Sequence, residues 1–419
     1  MLLNKHNTFN FFGLKIKLKN HKYYNDVFAE YEKIVDEIKN RKEKIKVAFL
    51  VSSLSMFAAK PLFEKLLKNE NFQVSLIMLP DFRFGEDNAR KNFLKIKEEL
   101  SEYSDITYYV PFEEEKDNIN LKEIADIAVF SIPYDICREK YNLENIISLN
   151  ILPALVNYGF FRSKYDRELI ASSKYSLFWK IFVETEQNLE EYKKYQKVKA
   201  KNTVLTGYCK MDDYANYLRK EEKKTIIIAP HHSLDGGYND KLSLSNFYKY
   251  SDLFLKLPDV YPDIKFIFRP HPALFTLLAQ DSYWGQQKVD KYLQKMVSKP
   301  NVEYSTKGDY FEEFANSDAI IQDCGSYLVE YFYTKKPQCY MLKSQKDISK
   351  KFTELGKNCL KHSYIAYEEK DIVDFINDVV INKKDLKKEQ REKFAYEVVM
   401  LNYPCASNKA IEYLERVLC

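Results

Sequence analysis

The chain has 419 residues, with 65 lysine and arginine side chains against 61 aspartates and glutamates. This near balance of charge gives no support for nucleic-acid binding driven by overall charge. The hydrophobic share of 45% is sufficient to fill the cores of two domains.

The seven cysteines include no CxxC pair, which is typical of a protein kept in a reducing compartment. The amino-terminal residues lack the long apolar core of a secretory signal. No run of about 18 apolar residues is present, so no membrane-spanning helix is predicted. We therefore expect a cytoplasmic protein, with a peripheral position on the inner face of the cytoplasmic membrane as the alternative.

Residues 1–45 are predicted to form an amino-terminal extension with an amphipathic helix. Its apolar residues recur at helical spacing and are Val27, Phe28, Tyr31, Ile34, Val35 and Ile38. Between Phe11 and Lys22, basic residues interleave with aromatic and aliphatic ones. This earlier stretch fits a membrane-surface anchor, but an edge strand or a helix packed on the first domain is favoured.

Short apolar runs alternate with helix-length polar segments through the rest of the chain. The first series of predicted strands comprises Val47–Ser52, Gln73–Leu79, Thr107–Val110, Ile127–Phe130, Ile146–Leu149, Ile181–Val183 and Val204–Thr206. The second series comprises Thr225–Ala229, Lys265–Phe268, Val302–Tyr304, Ala319–Gln322 and Gln338–Met341. Unbroken apolar strands between helices predict parallel sheets that are covered on both faces. We therefore expect an α/β protein with two doubly wound, Rossmann-like domains.

The domain boundary is expected near the charged stretch YLRKEEKK (217–224), after which the strand series restarts. We assign residues 46–215 to an amino-terminal domain and residues 216–400 to a carboxy-terminal domain. Residues 401–419 are expected to form a final helix that can cross back to the amino-terminal domain.

Three polar clusters follow predicted strands of the second series. They are IIIAPHHSLDGG (226–237), FIFRPHP (266–272) and SDAIIQDCGSYLVEYF (317–332). Ligands of doubly wound sheets bind at the carboxyl ends of the strands, which lie at one edge. We therefore expect the clusters to share a cleft. Three of the six histidines, His231, His232 and His271, would then lie together.

The third cluster has the features of an anion site. A strand is expected to end near Asp323 and a helix to begin near Gly325, whose missing side chain lets a ligand approach the backbone closely. Ser326 is placed to cap that helix or to bind an anion beside its N–H groups. With Arg269 and His271 on the neighbouring strand, we predict a cradle for a diphosphate that requires no metal ion or other cofactor.

Several of these residues also have a structural interpretation. His231 and His232 are adjacent, so one of them can cap or pack, and a zinc site of three histidines is disfavoured for the same reason. Asp323 is equally compatible with a helix cap and a catalytic base. Glu330 either contacts the ligand or pairs with a surface lysine. Cys324 has no obvious activating base and is expected to be inert.

At these residues the sequence resembles the CDP-glycerol glycerophosphotransferases of teichoic-acid and capsule synthesis, the TagB/TagF-like enzymes. FRPHP (268–272) matches their RPHP motif. SDAIIQDCGSYLVEYF (317–332) resembles their S-D-x-x-I-x-D-x-S-S segment, with Gly325 where the first serine usually stands. APHHSL (229–234) occurs in some branches of the family.

Two further segments extend the resemblance to about residues 205–414. LTGYCKMDDY (205–214) resembles the family's T-G-x-P-R-x-D stretch, with cysteine and lysine in place of proline and arginine. YPCASNKAIEYL (403–414) resembles the D-G-x-A-S-x-R-I ending without its glycine. The candidate contacts to a donor nucleotide are Gly207, Asp323, Glu330 and Ser407.

The resemblance implies a GT-B fold, in which two Rossmann-like domains face a central cleft. It also implies a CDP-activated alditol phosphate as donor, a glycan or lipid-linked acceptor, and a peripheral membrane enzyme. Residues 216–400 would bind the donor and residues 46–215 the acceptor. By the family pattern, His271 would stabilise the donor diphosphate and Ser326 would bind phosphate nearby.

The amino-terminal half departs from the family pattern. The family carries a W-H-G motif there, whose histidine is thought to act as base, whereas this chain has LVNYGFF (155–161). Asn157, Tyr158 and Gly159 are the candidate acceptor-side residues. Either His231 or His232 supplies the base, or the acceptor differs, or another group is transferred. The alternatives are a GT-B glycosyltransferase that uses a sugar nucleotide, a sugar-nucleotide epimerase, and a non-catalytic nucleotide-binding member of a capsule assembly.

Overall fold

The computed structural model describes residues 8–11, 14–17, 21–235, 242–306 and 308–419. These residues form two units. Unit 1 contains the described residues up to Tyr158, together with Glu168–Lys210 and Cys405–Cys419. Unit 2 contains Gly159–Arg167 and the described residues of Met211–Pro404.

Fifteen strands are present in the described part of the chain. They are β1 (Thr8–Phe11), β2 (Leu14–Lys17), β3 (Ile45–Val51), β4 (Phe72–Met78), β5 (Thr107–Tyr109), β6 (Ile127–Phe130), β7 (Leu152–Val156), β8 (Lys180–Val183), β9 (Thr203–Leu205), β10 (Thr225–Ala229), β11 (Lys265–Phe268), β12 (Val302–Tyr304), β13 (Ala319–Gln322), β14 (Gln338–Met341) and β15 (Tyr364–Ala366). Strands β1 and β2 form an antiparallel pair.

The α-helices alternate with these strands. They are α1 (His21–Asn40), α2 (Lys60–Leu66), α3 (Glu86–Glu99), α4 (Leu121–Ile124), α5 (Leu143–Ser148), α6 (Asp166–Ile170), α7 (Glu186–Tyr195), α8 (Phe247–Val260), α9 (Ala273–Gln280), α10 (Gly285–Val297), α11 (Phe311–Asn316), α12 (Tyr327–Glu330), α13 (Gln345–Lys351), α14 (Glu354–Lys361), α15 (Glu369–Asp374), α16 (Lys388–Phe394) and α17 (Ala406–Leu418). Two π-helical segments continue α15 and α16, at Phe375–Ile381 and Ala395–Val399.

Unit 1 is built on a parallel sheet with the strand order β5-β4-β3-β6-β7-β8-β9. Strands β3 and β6 lie in the middle of this sheet, and their residues are apolar apart from Lys46 in β3, as expected for strands covered on both faces. Helix α1 buries Tyr24, Phe28, Tyr31, Ile34 and Ile38. The predicted amphipathic helix is therefore confirmed. The final helix α17 packs against α1 and α2.

One strand of unit 1 differs from the sequence prediction. Ile146–Leu149, predicted as a strand, lies largely in helix α5, and the strand is β7 further along the chain. Pro153 lies inside β7, and proline normally argues against an interior strand because it has no N–H. Here pairing with β8 begins only at Ala154, so the missing donor precedes the ladder on that side. The Pro153 carbonyl accepts from the Trp179 N–H at 2.8 Å.

Unit 2 contains a second parallel sheet with the order β12-β11-β10-β13-β14-β15. Its core includes the predicted face of α8, with Phe247, Tyr250, Phe254 and Leu257 all buried. Helices alternate with parallel strands in both units, so the α/β prediction with two doubly wound sheets is confirmed. Strand β15 was not predicted. None of the helices in the described ranges combines the length and the apolar character needed to cross a membrane.

Candidate functional site

The candidate site lies at the carboxyl edge of the unit 2 sheet. The strand order of this sheet reverses between β10 and β13, and open α/β sheets bind ligands outside the strand ends at such a reversal. Strand β10 pairs in register with both neighbours, Ile228 opposite Phe268 and Ala229 opposite Gln322. The three predicted polar clusters therefore leave the sheet at nearly the same level.

Hydrogen bonds join the loops that follow these strands. The N–H of His271 donates to the Pro230 carbonyl at 2.9 Å, which links the loop after β11 to the loop after β10. The N–H of His231 donates to Oδ1 of Asp323 at 2.7 Å, which links the loop after β10 to the loop after β13. The loops thus form one connected layer above the sheet.

This layer brings three imidazole rings together. The ring centroids of His232 and His271 are 3.9 Å apart, those of His231 and His232 are 4.3 Å apart, and those of His231 and His271 are 5.3 Å apart. Although His231 and His232 are adjacent in sequence, both rings lie in this cluster. One ring nitrogen from each lies within 4.8 Å of the others, so the group is spaced closely enough to hold a metal ion.

Backbone N–H groups determine which ring nitrogens carry protons. The N–H of Ala273 donates to Nδ1 of His271 at 3.1 Å, and the N–H of Ser233 donates to Nδ1 of His231 at 3.2 Å. A nitrogen that accepts such a bond has no proton, so the proton of each neutral ring lies on Nε2. His231 and His271 consequently present Nε2–H donors, which suit an oxyanion rather than a metal ion.

Burial keeps the three rings neutral near pH 7. It lowers the pKa of His232 to about 4, and, with a smaller contribution from His232, it lowers the pKa of His271 to about 3. The pKa of His231 falls well below the ordinary value because of burial, then the two neighbouring imidazoles, then the Arg162 guanidinium. Each neutral ring keeps one N–H group, which it can donate to an anionic ligand.

His232 differs from the other two rings in its hydrogen bonds. Its Nδ1 is buried and has no hydrogen-bond partner among the residues that the structure describes. The tautomer of this ring is therefore not fixed by the protein in the way that those of His231 and His271 are. An imidazole without a fixed tautomer can accept a proton at either nitrogen, so His232 is the ring of the cluster best suited to act as a base.

Asp323 fastens the loops instead of capping the following helix. Its side chain is fully buried and accepts from the backbone N–H groups of His231 and Asn246. The side-chain amide of Asn246 also donates to it at 3.3 Å. Burial raises the pKa of Asp323 to about 7. The helix-cap interpretation is thus wrong, because the Asp323 carboxylate accepts its hydrogen bonds from other loops and not from the following helix.

Arg269 is engaged inside the protein. Its Nη1 donates to both carboxylate oxygens of Glu313, each at 2.9 Å, and to Ser305 at 2.8 Å. Its Nε donates to the Tyr327 hydroxyl at 2.9 Å. The side chains of Arg269 and Glu313 are only 8% and 4% exposed. The predicted contact of Arg269 with a diphosphate stays a prediction, and the observed bonds suit an anchor for the RPHP loop.

The turn after β13 contains Gly325 and Ser326 but is followed by a helix of only four residues, α12. Within the described part of the chain, the Ser326 side chain makes no capping hydrogen bond to it. Cys324 is half-buried. Desolvation raises the pKa of its thiol to about 11, although the backbone N–H groups of Tyr327 and Ser326 act in the opposite direction. The thiol is thus protonated at neutral pH, as expected of an inert cysteine.

Arg162 was not among the predicted site residues. The ideal Cβ position on Gly325 lies 2.1 Å from Nη2 of Arg162, so this guanidinium rests against the turn where any other residue would place a side chain. The available signal was Gly325 itself, which replaces a serine in the motif.

The remaining donor-side predictions fall in both units. In unit 2, the Glu330 side chain is 1% exposed and accepts from the Tyr310 hydroxyl at 2.7 Å. In unit 1, Gly207 follows β9 with φ of 92°, a conformation that favours glycine, and Ser407 is buried in α17. Their predicted roles as donor contacts stay predictions.

The acceptor-side predictions are also divided between the units. Asn157 is buried in unit 1, where the Tyr158 N–H donates to the Ser131 carbonyl at 3.1 Å. Gly159 begins the short segment that belongs to unit 2. A Cβ on Gly159 would lie 3.5 Å from Oγ of Ser326, so this glycine is next to the turn that follows β13.

Comparison with known proteins identifies the fold. No protein-family model matches the chain, and no curated protein matches it. Among solved structures, the wall teichoic acid polymerase TagF is similar with a TM-score of 0.58 and 14% identity over 95% of this chain and 94% of that chain. A UDP-GlcNAc 2-epimerase from Neisseria meningitidis, bound to UDP-GlcNAc, has a TM-score of 0.57 and 14% identity over 89% of this chain and 100% of that chain. MnaA from S. aureus with UDP has a TM-score of 0.55 and 14% identity over 90% of this chain and 98% of that chain. This chain has the GT-B fold.

Proposed function

We propose that this protein is a transferase that uses a nucleotide-activated donor and moves an alditol-phosphate group from a CDP-linked donor to a hydroxyl of a cell-surface glycan or lipid-linked polymer. Fold likeness to TagF and to nucleotide-sugar epimerases supports the donor class. The motifs FRPHP and SDAIIQDCGSYLVEYF support the alditol phosphate. Such an acceptor would bring the enzyme to the inner face of the cytoplasmic membrane.

The observation that carries the proposal is the pair of fixed Nε2–H donors on His231 and His271. Charge develops on the phosphate oxygens as the leaving nucleotide departs, and donors already aimed at those oxygens lower the barrier without reorganising. The neutral state of both rings follows from their burial. Their orientation follows from the N–H groups of Ser233 and Ala273.

The reaction is a direct displacement at phosphorus. The acceptor hydroxyl oxygen forms a bond to the phosphorus of the transferred group, and the bond from that phosphorus to the bridging oxygen breaks. CMP leaves with the bonding electron pair, and its new charge is met by His231 and His271. The hydroxyl proton passes to His232, whose low pKa makes it a weak base that acts as the O–P bond forms.

The test is a nucleotide-release assay with CDP-glycerol, CDP-ribitol and UDP-sugars, each with and without a glycan acceptor. We expect CMP release from a CDP-alditol only when the acceptor is present. His271→Ala should lower kcat at least about 100-fold, the usual size for loss of a transition-state donor. His362→Ala is the matched control, since its ring stacks on Phe394 at 4.4 Å outside the cluster. Full activity of His271→Ala would refute the proposal.

A second candidate is a sugar-nucleotide enzyme of the same fold, either an epimerase or a glycosyltransferase. It is favoured by the likeness to 2-epimerases over 89% of the chain. An epimerase would convert a UDP-sugar without any acceptor, whereas a glycosyltransferase would release UDP only with one. Binding of CDP-glycerol with no turnover on any acceptor would instead support a non-catalytic nucleotide-binding role.

A further inference from the structure

We infer that Arg162 is the cation of the donor site and that it contacts the diphosphate from the Gly325 turn. This inference rests on the proposed function and adds a binding residue to it. The sequence motifs point to Arg269 for this role. The geometry points instead to an arginine that is 163 positions away from Gly325 in the sequence but lies directly against it.

Any side chain at position 325 would require the Arg162 guanidinium to move. A Cβ there would lie 2.1 Å from Nη2, 2.7 Å from Nε and 2.8 Å from Cζ of the guanidinium. A serine at this position, as in the resembling family, would therefore displace Arg162. A glycine at position 325 is therefore what allows the guanidinium to occupy its observed position.

The protein holds the Arg162 side chain by its other edge. Nη1 donates to both carboxylate oxygens of Asp166 at 3.0 Å. The Arg162 N–H donates to the same carboxylate at 3.1 Å, and the Ser163 N–H donates to it at 2.9 Å. Asp166 therefore fixes one side of the planar group, and the Nε and Nη2 side is turned towards the Gly325 turn. A guanidinium held in this way keeps its fork geometry, which matches phosphate oxygens.

The backbone of Arg162 is held as firmly as its side chain. Its carbonyl accepts from the Thr353 N–H at 3.0 Å, and the Thr353 hydroxyl donates to the Phe161 carbonyl at 3.0 Å. Gly356 packs against the same carbonyl, where a Cβ would lie 2.2 Å from the oxygen. Two glycines thus leave space for this one arginine, one at its carbonyl and one at its guanidinium.

The charge of Arg162 acts on the histidine cluster. It is one of the groups that affect His231, together with burial and the two neighbouring imidazoles. The side chain is 16% exposed, although its Nε is buried. Gly159, three residues earlier in the same segment, lies beside Ser326. Asp323, two residues before Gly325, accepts from the His231 N–H. The Arg162 segment, the Ser326 turn and the His231 loop are therefore neighbours within unit 2.

The experiment uses isothermal titration calorimetry to measure the binding of inorganic pyrophosphate and of CDP to the full chain. Arg162→Lys keeps a cation for Asp166 but loses the fork, and we expect affinity for both ligands to fall about tenfold or more. Arg391→Lys is the matched control, because Arg391 is a buried arginine that pairs with Asp385 in the same unit. We expect its affinities to stay within about twofold of the wild type.

Gly325→Ala provides an independent variant. It retains Arg162, but the new methyl group takes the space in which the guanidinium lies. It should weaken pyrophosphate binding to a similar extent, and circular dichroism checks that each variant is folded. If folded Arg162→Lys or folded Gly325→Ala binds both ligands like the wild type, the inference is overturned while the proposed function stands. If the wild type itself binds neither pyrophosphate nor CDP, the proposed function and this inference are both overturned.

Discussion

Replacing Glu313 by leucine would test whether Arg269 is an internal anchor. This substitution leaves a guanidinium that is only 8% exposed without its carboxylate, while Ser305 and Tyr327 remain as neutral partners. Breaking a buried ion pair by removing one partner costs about 3–5 kcal/mol, because an uncompensated charge stays buried. The double variant Arg269→Met with Glu313→Leu should recover most of that loss, since it buries no charge.

The assay is denaturant unfolding read by tryptophan fluorescence. The chain has two tryptophans, Trp179 in unit 1 and Trp284 in unit 2. Trp284 is buried in the unit 2 core, so a Trp179→Phe background makes it the sole reporter of that unit. Glu354→Leu is the control, because Glu354 pairs with Lys357 at the surface and its loss should cost no more than about 1 kcal/mol.

The refuting result is a Glu313→Leu variant that loses no more stability than the Glu354→Leu control. Arg269 would then not depend on its internal carboxylate. The Arg269 guanidinium would be available to a ligand, as the sequence motif implies. The argument that Arg162, and not Arg269, binds the donor diphosphate would then be weakened.

Three further predictions concern the histidine cluster. Burial lowers the pKa of His271 to about 3 from an ordinary 6.5, so the folded state binds a proton at this ring less readily than the unfolded state does. The wild type should therefore lose stability as the pH falls below 6.5. Relative to His271→Gln, which has no titrating group at this position, its unfolding free energy should fall by about 2 kcal/mol between pH 7 and pH 5. In ¹⁵N-histidine NMR spectra at pH 7, His231 and His271 should both show a protonated Nε2, and a protonated Nδ1 would contradict the assigned hydrogen bonds. Turnover should persist in excess EDTA, whereas a loss that zinc restores would show that the three rings hold a metal ion.

The sequence predicted most strands because buried parallel strands are continuous apolar runs. Strand β10, Thr225–Ala229, and strand β11, Lys265–Phe268, have the predicted bounds. Strand β7 was not predicted, and Pro153 within it argues against an interior strand. The proline is compatible with the sheet because it precedes the first residue of β7 that pairs with β8. Strand β15, Tyr364–Ala366, is short and only partly buried, so its apolar signal is weak.

The sequence also placed the histidines at one edge, because that follows from strand order alone. It did not reveal the hydrogen bonds that decide what each residue does. The partner of Arg269 is Glu313, on a helix that no motif marks, and the residue against Gly325 is Arg162. Such pairings between distant segments depend on how loops cross the sheet edge, and local periodicity carries no information about that.

The division of the chain between the two units has a consequence for synthesis. Unit 1 needs Cys405–Cys419, and unit 2 needs Gly159–Arg167, so neither is made from one uninterrupted stretch. As the ribosome advances, the surfaces of α1 and α2 that α17 covers remain uncovered until α17 has been synthesised. An expressed fragment that spans only residues 211–404 would lack Arg162, and a circular permutant would keep both units only if its new ends avoided these two returning segments.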